Sequence, residues 1–167
     1  DGAGHAIRNL TVNQPSEIYQ GLFGCLENAN IENIHLETVS VSGRGYVGAL
    51  AGRVLNSNID SVHISGEIYA GAGGYAGGLA GYLDGSGIVN SSSASAVKNV
   101  VTRTGGIAGF SVNSASIFNS YSTGSVSGGS YAGGLVGQQS GSSIANSYSR
   151  AAVTGDGYLG GLVGDSI

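Results

Sequence analysis

Gly134-Leu135-Val136-Gly137 decides the fold, because the phrase returns along the whole chain. Its copies are Gly21-Leu22-Phe23-Gly24, Ala49-Leu50-Ala51-Gly52, Gly78-Leu79-Ala80-Gly81, Gly106-Ile107-Ala108-Gly109 and Gly161-Leu162-Val163-Gly164. The closing glycines are 28, 29, 28, 28 and 27 residues apart. A second phrase keeps the same beat: an isoleucine, any residue, then usually asparagine, with isoleucines at Ile7, Ile31, Ile59, Ile88, Ile117 and Ile144. A repeat of this size is one structural unit stacked on copies of itself, since no single unit can bury its own apolar face. A rod of near-identical units offers no unique cleft, which weighs against catalysis.

Local chemistry selects β structure. Short alternations such as Val39-Ser40-Val41 and Ser125-Val126-Ser127 lie between Gly, Ser and Asn, the pattern of strands bounded by turns. Gly and Ser recur every few residues and disfavour helix. A leucine-rich repeat of similar period would need a Leu-x-x-Leu-x-Leu series, which is absent. The expected fold is all-β: a parallel β-solenoid, three-sided and right-handed, of six coils of about 28 residues stacked at about 4.8 Å. The coils fall near residues 1–24, 25–52, 53–81, 82–109, 110–137 and 138–164, within a single domain covering 1–167.

Stacking lets the sequence be read as columns. Leu22, Leu50, Leu79, Ile107, Leu135 and Leu162 should line the core, joined by the isoleucine series from Ile7. Two residues after each isoleucine come Asn9, Asn33, Ser61, Asn90, Asn119 and Asn146, expected as a structural amide ladder at a corner. Leu10 and Val12, Ile34 and Leu36, and Val62 and Ile64 follow the isoleucines in the early coils. Ser91 and Ser93, Ser120 and Ser122, and Ser147 and Ser149 replace them later, so the core is expected to narrow or become more polar. Tyr46, Tyr75, Arg103, Tyr131 and Tyr158 stand six residues before the closing glycines. Arg103 argues against burial of that column, because an unpaired buried guanidinium is costly. A bend at the glycines should turn it outward, with Arg103 between tyrosine faces as a cation–π contact. The plainer reading is a stability ladder; the functional one is a stripe for ligand or glycan stacking.

Composition narrows the partners. The chain has 32 glycines, 10 % charged residues and a net charge of −4. No basic patch emerges, so nucleic acid is not an expected partner. No apolar run is long enough to span a membrane. Cys25 is the single cysteine, which leaves no internal disulfide framework. The chain opens in mid-phrase at Asp1-Gly2-Ala3-Gly4-His5 and stops just after a Gly-Leu-Val-Gly, so it is expected to be part of something larger, flanked by further repeats or domains.

Gly133-Gly134-Leu135-Val136-Gly137, then Ile144-x-Asn146-Ser147-Tyr148-Ser149, a Gly-rich turn and the next Gly-Gly-Leu-Val-Gly resemble the GLUG repeat family. The resemblance covers nearly the whole chain; coil 4 departs most, between Ser95 and Thr104, with Lys98 and Arg103. It implies a non-catalytic region of a large secreted bacterial surface protein. Filamentous-haemagglutinin-like adhesins and IgA-specific metallopeptidases are such proteins. No cofactor is expected. A host or neighbouring-cell surface protein or glycan is the expected partner class.

The chain's own chemistry points the same way. His5, His35 and His63 form no His-Glu-x-x-His pattern. His35 and His63 share a column and should stack about 5 Å apart, half a metal site at most. Glu32 and Asp60 share another column, continued by Val89, Phe118 and Ala145, so no acid cluster is expected for polysaccharide chemistry. Cys25 has no placed base. The threonines do not fall in one column, which weighs against ice binding.

Overall fold

The computed structural model describes residues 1–167 and contains strands but no helix. Every strand pair is parallel, and each residue faces its equivalent 27 to 29 positions along the chain. Three sheets run the length of the rod. Sheet A is broad and includes Asn30–Gly43, Asn58–Ala70 and Ser92–Asn99. Sheet B is narrow: Tyr19–Gln20, Tyr46–Gly48, Tyr75–Gly77, Arg103–Gly105, Tyr131–Gly133 and Tyr158–Gly160. Sheet C holds Phe23–Glu27, Ala51–Leu55, Ala80–Asp84, Ala108–Val112, Val136–Ser140 and Val163–Ser166. One pass through A, B and C is one coil, and the chain makes six turns of a parallel β-solenoid.

The core runs up the middle as columns. Leu50, Leu79, Ile107 and Leu135 are fully buried. The amide of each donates to the next coil: Leu79 N–H to the Ile107 carbonyl at 2.9 Å, Ile107 N–H to that of Leu135 at 2.8 Å, and Leu135 N–H to that of Leu162 at 2.8 Å. Ile59, Ile88 and Ile117 form a second buried column, and Val41, Ile68, Val97 and Val126 a third. Leu162 in the last coil is exposed and Leu22 in the first is half-buried, since each has a coil on one side only.

The first coil corrects the column reading. Ile7 pairs with Leu36, not Ile31. It therefore heads the column Leu36, Ile64, Ser93, Ser122 and Ser149. Its distance of 29 residues from Leu36 keeps the period; the 24 to Ile31 does not. Val12 moves with it and pairs with Val41. Asn9 likewise leaves the asparagine column: its N–H donates to the Glu37 carbonyl at 3.0 Å, beside Thr38, and both Asn9 and Thr38 have φ near +55°.

Asn33, Ser61, Asn90, Asn119 and Asn146 all have left-handed φ, between +48° and +56°. They bend sheet A by one residue per coil, and short polar side chains tolerate that conformation best. The column is solvated rather than a buried amide ladder. Asn119 Nδ2 reaches Asn90 Oδ1 at 3.4 Å, while Asn90 Nδ2 donates instead to Asp60 at 3.0 Å.

The bend breaks the backbone ladder, and serines repair it. Ser91 Oγ accepts the Val62 N–H at 3.1 Å and donates to the Val89 carbonyl at 2.7 Å. Ser120 Oγ accepts the Ser91 N–H, and Ser147 Oγ accepts that of Ser120, both at 3.1 Å. A second file does the same after sheet C: Ala29 N–H donates to Ser57 Oγ, and Ser57 N–H to Ser86 Oγ, each at 3.0 Å. The polar turn of the later coils thus has a physical cause, because buried amides must find acceptors. Ser93, Ser122 and Ser149 do a different job. They lie against Gly78, Gly106 and Gly134, where an added Cβ would meet the serine side chain at 2.1 to 2.6 Å.

Candidate functional site

The outer surface where sheet B turns into sheet C gathers most of the aromatic side chains. The turn is tight because glycine lines both arms. A Cβ on Gly81 would come within 2.5 Å of Val47 N and 2.8 Å of Tyr75 O. One on Gly109 would lie 2.8 Å from Ala76 N. On the other arm, a Cβ on Gly77 would meet the Ala80 carbonyl at 2.0 Å. No residue with a side chain fits these places, which accounts for the closing glycines Gly52, Gly81, Gly109, Gly137 and Gly164; at Gly24, in the first coil, a Cβ would come no nearer than 3.4 Å to its neighbours.

Along sheet B, Val47, Ala76, Thr104 and Ala132 point inward and are buried. Tyr46, Tyr75, Arg103, Tyr131 and Tyr158 therefore point outward, in register. Tyr19 begins the column by pairing with Tyr46. Sequence reasoning missed it because it stands five residues, not six, before its closing glycine. A facing column was also missed, although its signal is simple: it is the residue after each closing glycine. Cys25, Arg53, Tyr82, Phe110, Gln138 and Asp165 fill it.

The two columns interlock. Tyr46 and Tyr75 have ring centroids 5.0 Å apart, and Tyr82 lies 5.6 Å from Tyr46 and 6.1 Å from Tyr75. Phe110 meets Tyr75 edge-on at 5.5 Å. The Arg103 guanidinium lies 4.5 Å from the Phe110 centroid, 4.8 Å from Tyr75 and 5.4 Å from Tyr131. Its Nε donates to Gln138 Oε1, and Gln138 Nε2 donates to Asp165 at 2.6 Å. A charged line thus crosses three coils and ends on a carboxylate. Burial raises the Tyr46 phenol above its ordinary 10.0, with Tyr75 and Tyr19 adding to the effect and Arg53 and Arg103 opposing it. Burial also raises Tyr82, followed by the charge of Asp84.

This geometry bears on ligand stacking. Tyr19 and Tyr46 stack at 5.4 Å with planes 16° apart, and Tyr131 and Tyr158 at 5.3 Å and 14°. Rings stacked along the axis spend their faces on one another, so most of the column presents edges and hydroxyls. Tyr158, in the last coil, is 64 % exposed because it has a neighbouring coil on one side only.

The remaining candidates stay apart. The His35 and His63 rings stand 5.2 Å apart, and His63 Nδ1 is 2.8 Å from Ser92 Oγ. Desolvation, then His35, lowers the His63 pKa from 6.5. No group of three or more His, Cys, Asp and Glu side chains is arranged to hold a metal ion. Asp60 is engaged by Ser61 and Asn90. Cys25 is exposed at the head of the facing column. No helix is long and apolar enough to cross a membrane.

Parallel coils, corner glycines and packed outer columns define a repeat β-solenoid, and comparison with known proteins places it more closely. The GLUG motif is matched at residues 128–154, in agreement with the repeat phrases. The chain is 40 % identical over 93 residues to the immunoglobulin A1 protease of Streptococcus sanguinis, a match covering 55 % of this chain and 4 % of that protein. It is 35 % identical over 95 residues to halomucin of Haloquadratum walsbyi (strain DSM 16790 / HBSQ001), covering 56 % of this chain and 1 % of the relative. A solved Bacteroides ovatus chain, provisionally named an immunoglobulin A1 protease, superposes with a TM-score of 0.71 at 20 % identity, over 96 % of this chain and 68 % of that one. That likeness carries the fold. The chain is a solenoid segment related to immunoglobulin A1 protease-like proteins, and it matches a small fraction of the length of its curated relatives.

Proposed function

We propose that the chain is a non-catalytic β-solenoid that serves as stalk or display surface in a larger secreted or cell-surface bacterial protein of adhesin type. The observation that carries this reading is the use of each repeated position in stacking. Leucines and isoleucines fill the core, serines mend the ladder, glycines make the corner, and the outer aromatics pack on one another. The small share of each curated relative that it matches supports a modular part of a long protein. Contact with a host or neighbouring-cell protein or glycan is assigned to the outer column of Tyr46, Tyr75, Arg103, Tyr131 and Tyr158. A second reading has its own support: the Streptococcus relative and the Bacteroides neighbour both bear the immunoglobulin A1 protease name. In that case the segment is an accessory spacer beside a peptidase domain.

Incubating the folded chain with immunoglobulin A1 and with a panel of peptides and glycans tests the proposal. No cleavage is expected, and turnover abolished by a point substitution would overturn it. An His-Glu-x-x-His domain elsewhere in the parent gene would select the accessory reading.

A further inference from the structure

The corner between sheets A and B carries turns of unequal length, and the inequality builds a recess. From the last position of sheet A to the tyrosine column takes three residues in coil 2 (Gly43 to Tyr46), five in coil 3 (Ala70 to Tyr75) and four in coil 4 (Asn99 to Arg103). It takes three again in coil 5 (Gly128 to Tyr131) and coil 6 (Gly155 to Tyr158). The longer turn of coil 4 therefore overhangs the shorter ones of coils 5 and 6. Beneath it is an open hollow of about 500 Å³, walled by Val100, Val101, Tyr131, Tyr158, Ser130 and Asp156.

The overhang is fixed in place. Asn99 is buried, and its Nδ2 donates to the Gly74 carbonyl, to Thr102 Oγ1 at 3.2 Å and to the Arg103 carbonyl at 3.3 Å. Its Oδ1 accepts the Val101 N–H at 3.0 Å and the Thr102 N–H at 3.3 Å. The Val101 carbonyl is held by Ser130 N–H at 3.1 Å and Ser130 Oγ at 3.0 Å. This bracket holds two adjacent valines in solvent, 60 % and 44 % exposed. The turns of coils 3 and 5 have Gly, Ala or Ser at the corresponding places. Side chains this apolar are not needed to make the turn.

The other wall is polar. Asp156 is exposed and makes no ion pair; the one salt bridge joins Arg8 to Glu37. Aliphatic and aromatic walls with a free carboxylate fit a sugar ring. Its C–H face lies on the two valines, while adjacent hydroxyls donate to the carboxylate as charge-assisted bonds. The volume suits one or two pyranose units. The carboxylate opposes an anionic sugar.

We propose that this hollow binds an uncharged saccharide, with Asp156 as hydroxyl acceptor, Val100 and Val101 as the apolar platform and the edges of Tyr131 and Tyr158 as its side wall. A second hollow of about 410 Å³, between Ile18, Tyr19, Arg44, Tyr46 and Gly73, supplies an internal control. It has Arg44 where this one has Asp156, and its overhang lacks the Asn99 bracket.

Saturation-transfer NMR on the whole chain tests the site, with lactose and N,N′-diacetylchitobiose as neutral probes, sialyllactose as the anionic probe and glucosamine as the cationic one. Transfer to a neutral probe is expected. Asp156→Asn and Val101→Ser should each weaken it about tenfold, the effect of removing one well-placed polar or apolar contact, and Arg44→Gln should leave it unchanged. Both weakening substitutions fall on exposed side chains, and an unchanged circular dichroism spectrum confirms the fold. No transfer to any neutral probe, a preference for sialyllactose, or indifference to Asp156→Asn would overturn the proposal; stronger transfer to glucosamine that falls in Asp156→Asn would support the role of the carboxylate. Absence of binding leaves the scaffold reading intact. Hydrolysis of a bound probe would support the site and overturn the non-catalytic reading.

Discussion

Single residues hold this rod together in ways that depend on the neighbouring coil. Ser91 is fully buried, and its hydroxyl is the acceptor for an amide in the preceding coil. Ser91→Ala leaves that amide without a partner, so it should cost about 1–3 kcal/mol, measured by chemical denaturation. A loss no larger than that of an exposed serine would show that the ladder does not need its hydroxyls. Gly109→Ala meets backbone on three sides, with Gly81 O, Ala76 N and Ala76 O within 2.9 Å of the new Cβ. Backbone cannot swing away as a side chain can. The substitution should cost at least the 1–3 kcal/mol of overpacking, or prevent folding. Tolerance of alanine there would mean the corner is looser than drawn.

At the scale of strands and columns, burial ranks the leucines. Leu79→Ala and Leu135→Ala, both in fully buried positions, should each cost about 2–5 kcal/mol. Leu162→Ala should cost visibly less because that side chain is already 41 % exposed. Equal losses at all three would contradict a stack of coils. The histidine pair on sheet A gives a pH signature. Burial and His35 hold His63 below its ordinary 6.5, so the unfolded chain binds this proton more readily than the folded one. Stability should be level above that value and decline as pH falls beneath it. Unfolding midpoints at about pH 7.5 and about pH 5 bracket the window, and His63→Gln should reduce the difference. The effect should be small, since the imidazole is partly solvated. A midpoint that rises on acidification, and rises less in His63→Gln, would reverse the sign.

Across the whole molecule, much of the architecture was legible in the sequence, and each exception has its own cause. Constant spacing fixed the coils, and periodic Leu, Ile and Gly fixed what faces inward. Ile7 and Asn9 fall in other columns than expected because a phrase such as isoleucine-x-asparagine occurs at two corners of the coil. In the first coil only the period tells them apart. Tyr19 escaped because its coil is one residue shorter before the closing glycine. The facing column of Arg53, Tyr82, Phe110 and Gln138 escaped because its residue types change from coil to coil, although its position is constant. The recess beneath Val100 and Val101 depends on relative turn lengths, which become visible only once coils are aligned. Apolar content also falls along the rod, from Leu26, Val54 and Leu83 in sheet C to Ser111 and Gln139 in the same column. Hydrogen exchange should therefore be slowest around Leu50 to Leu83 and fastest in the last coil. Uniform protection would show that the rod opens only as one unit.

The parallel sheets have a mechanical meaning. Their hydrogen bonds lie along the rod, so a pull on the two ends loads them in series, one coil at a time, rather than shearing many together. Equivalent positions such as Arg103 and Tyr131 are 28 residues apart. Each coil that peels away would release about 90 Å of slack, from an extended reach of about 3.4 Å per residue less one stacking step. A rod built this way would yield in small, equal increments while the coils still stacked remain folded. It would act as a tether that lengthens under load before it fails.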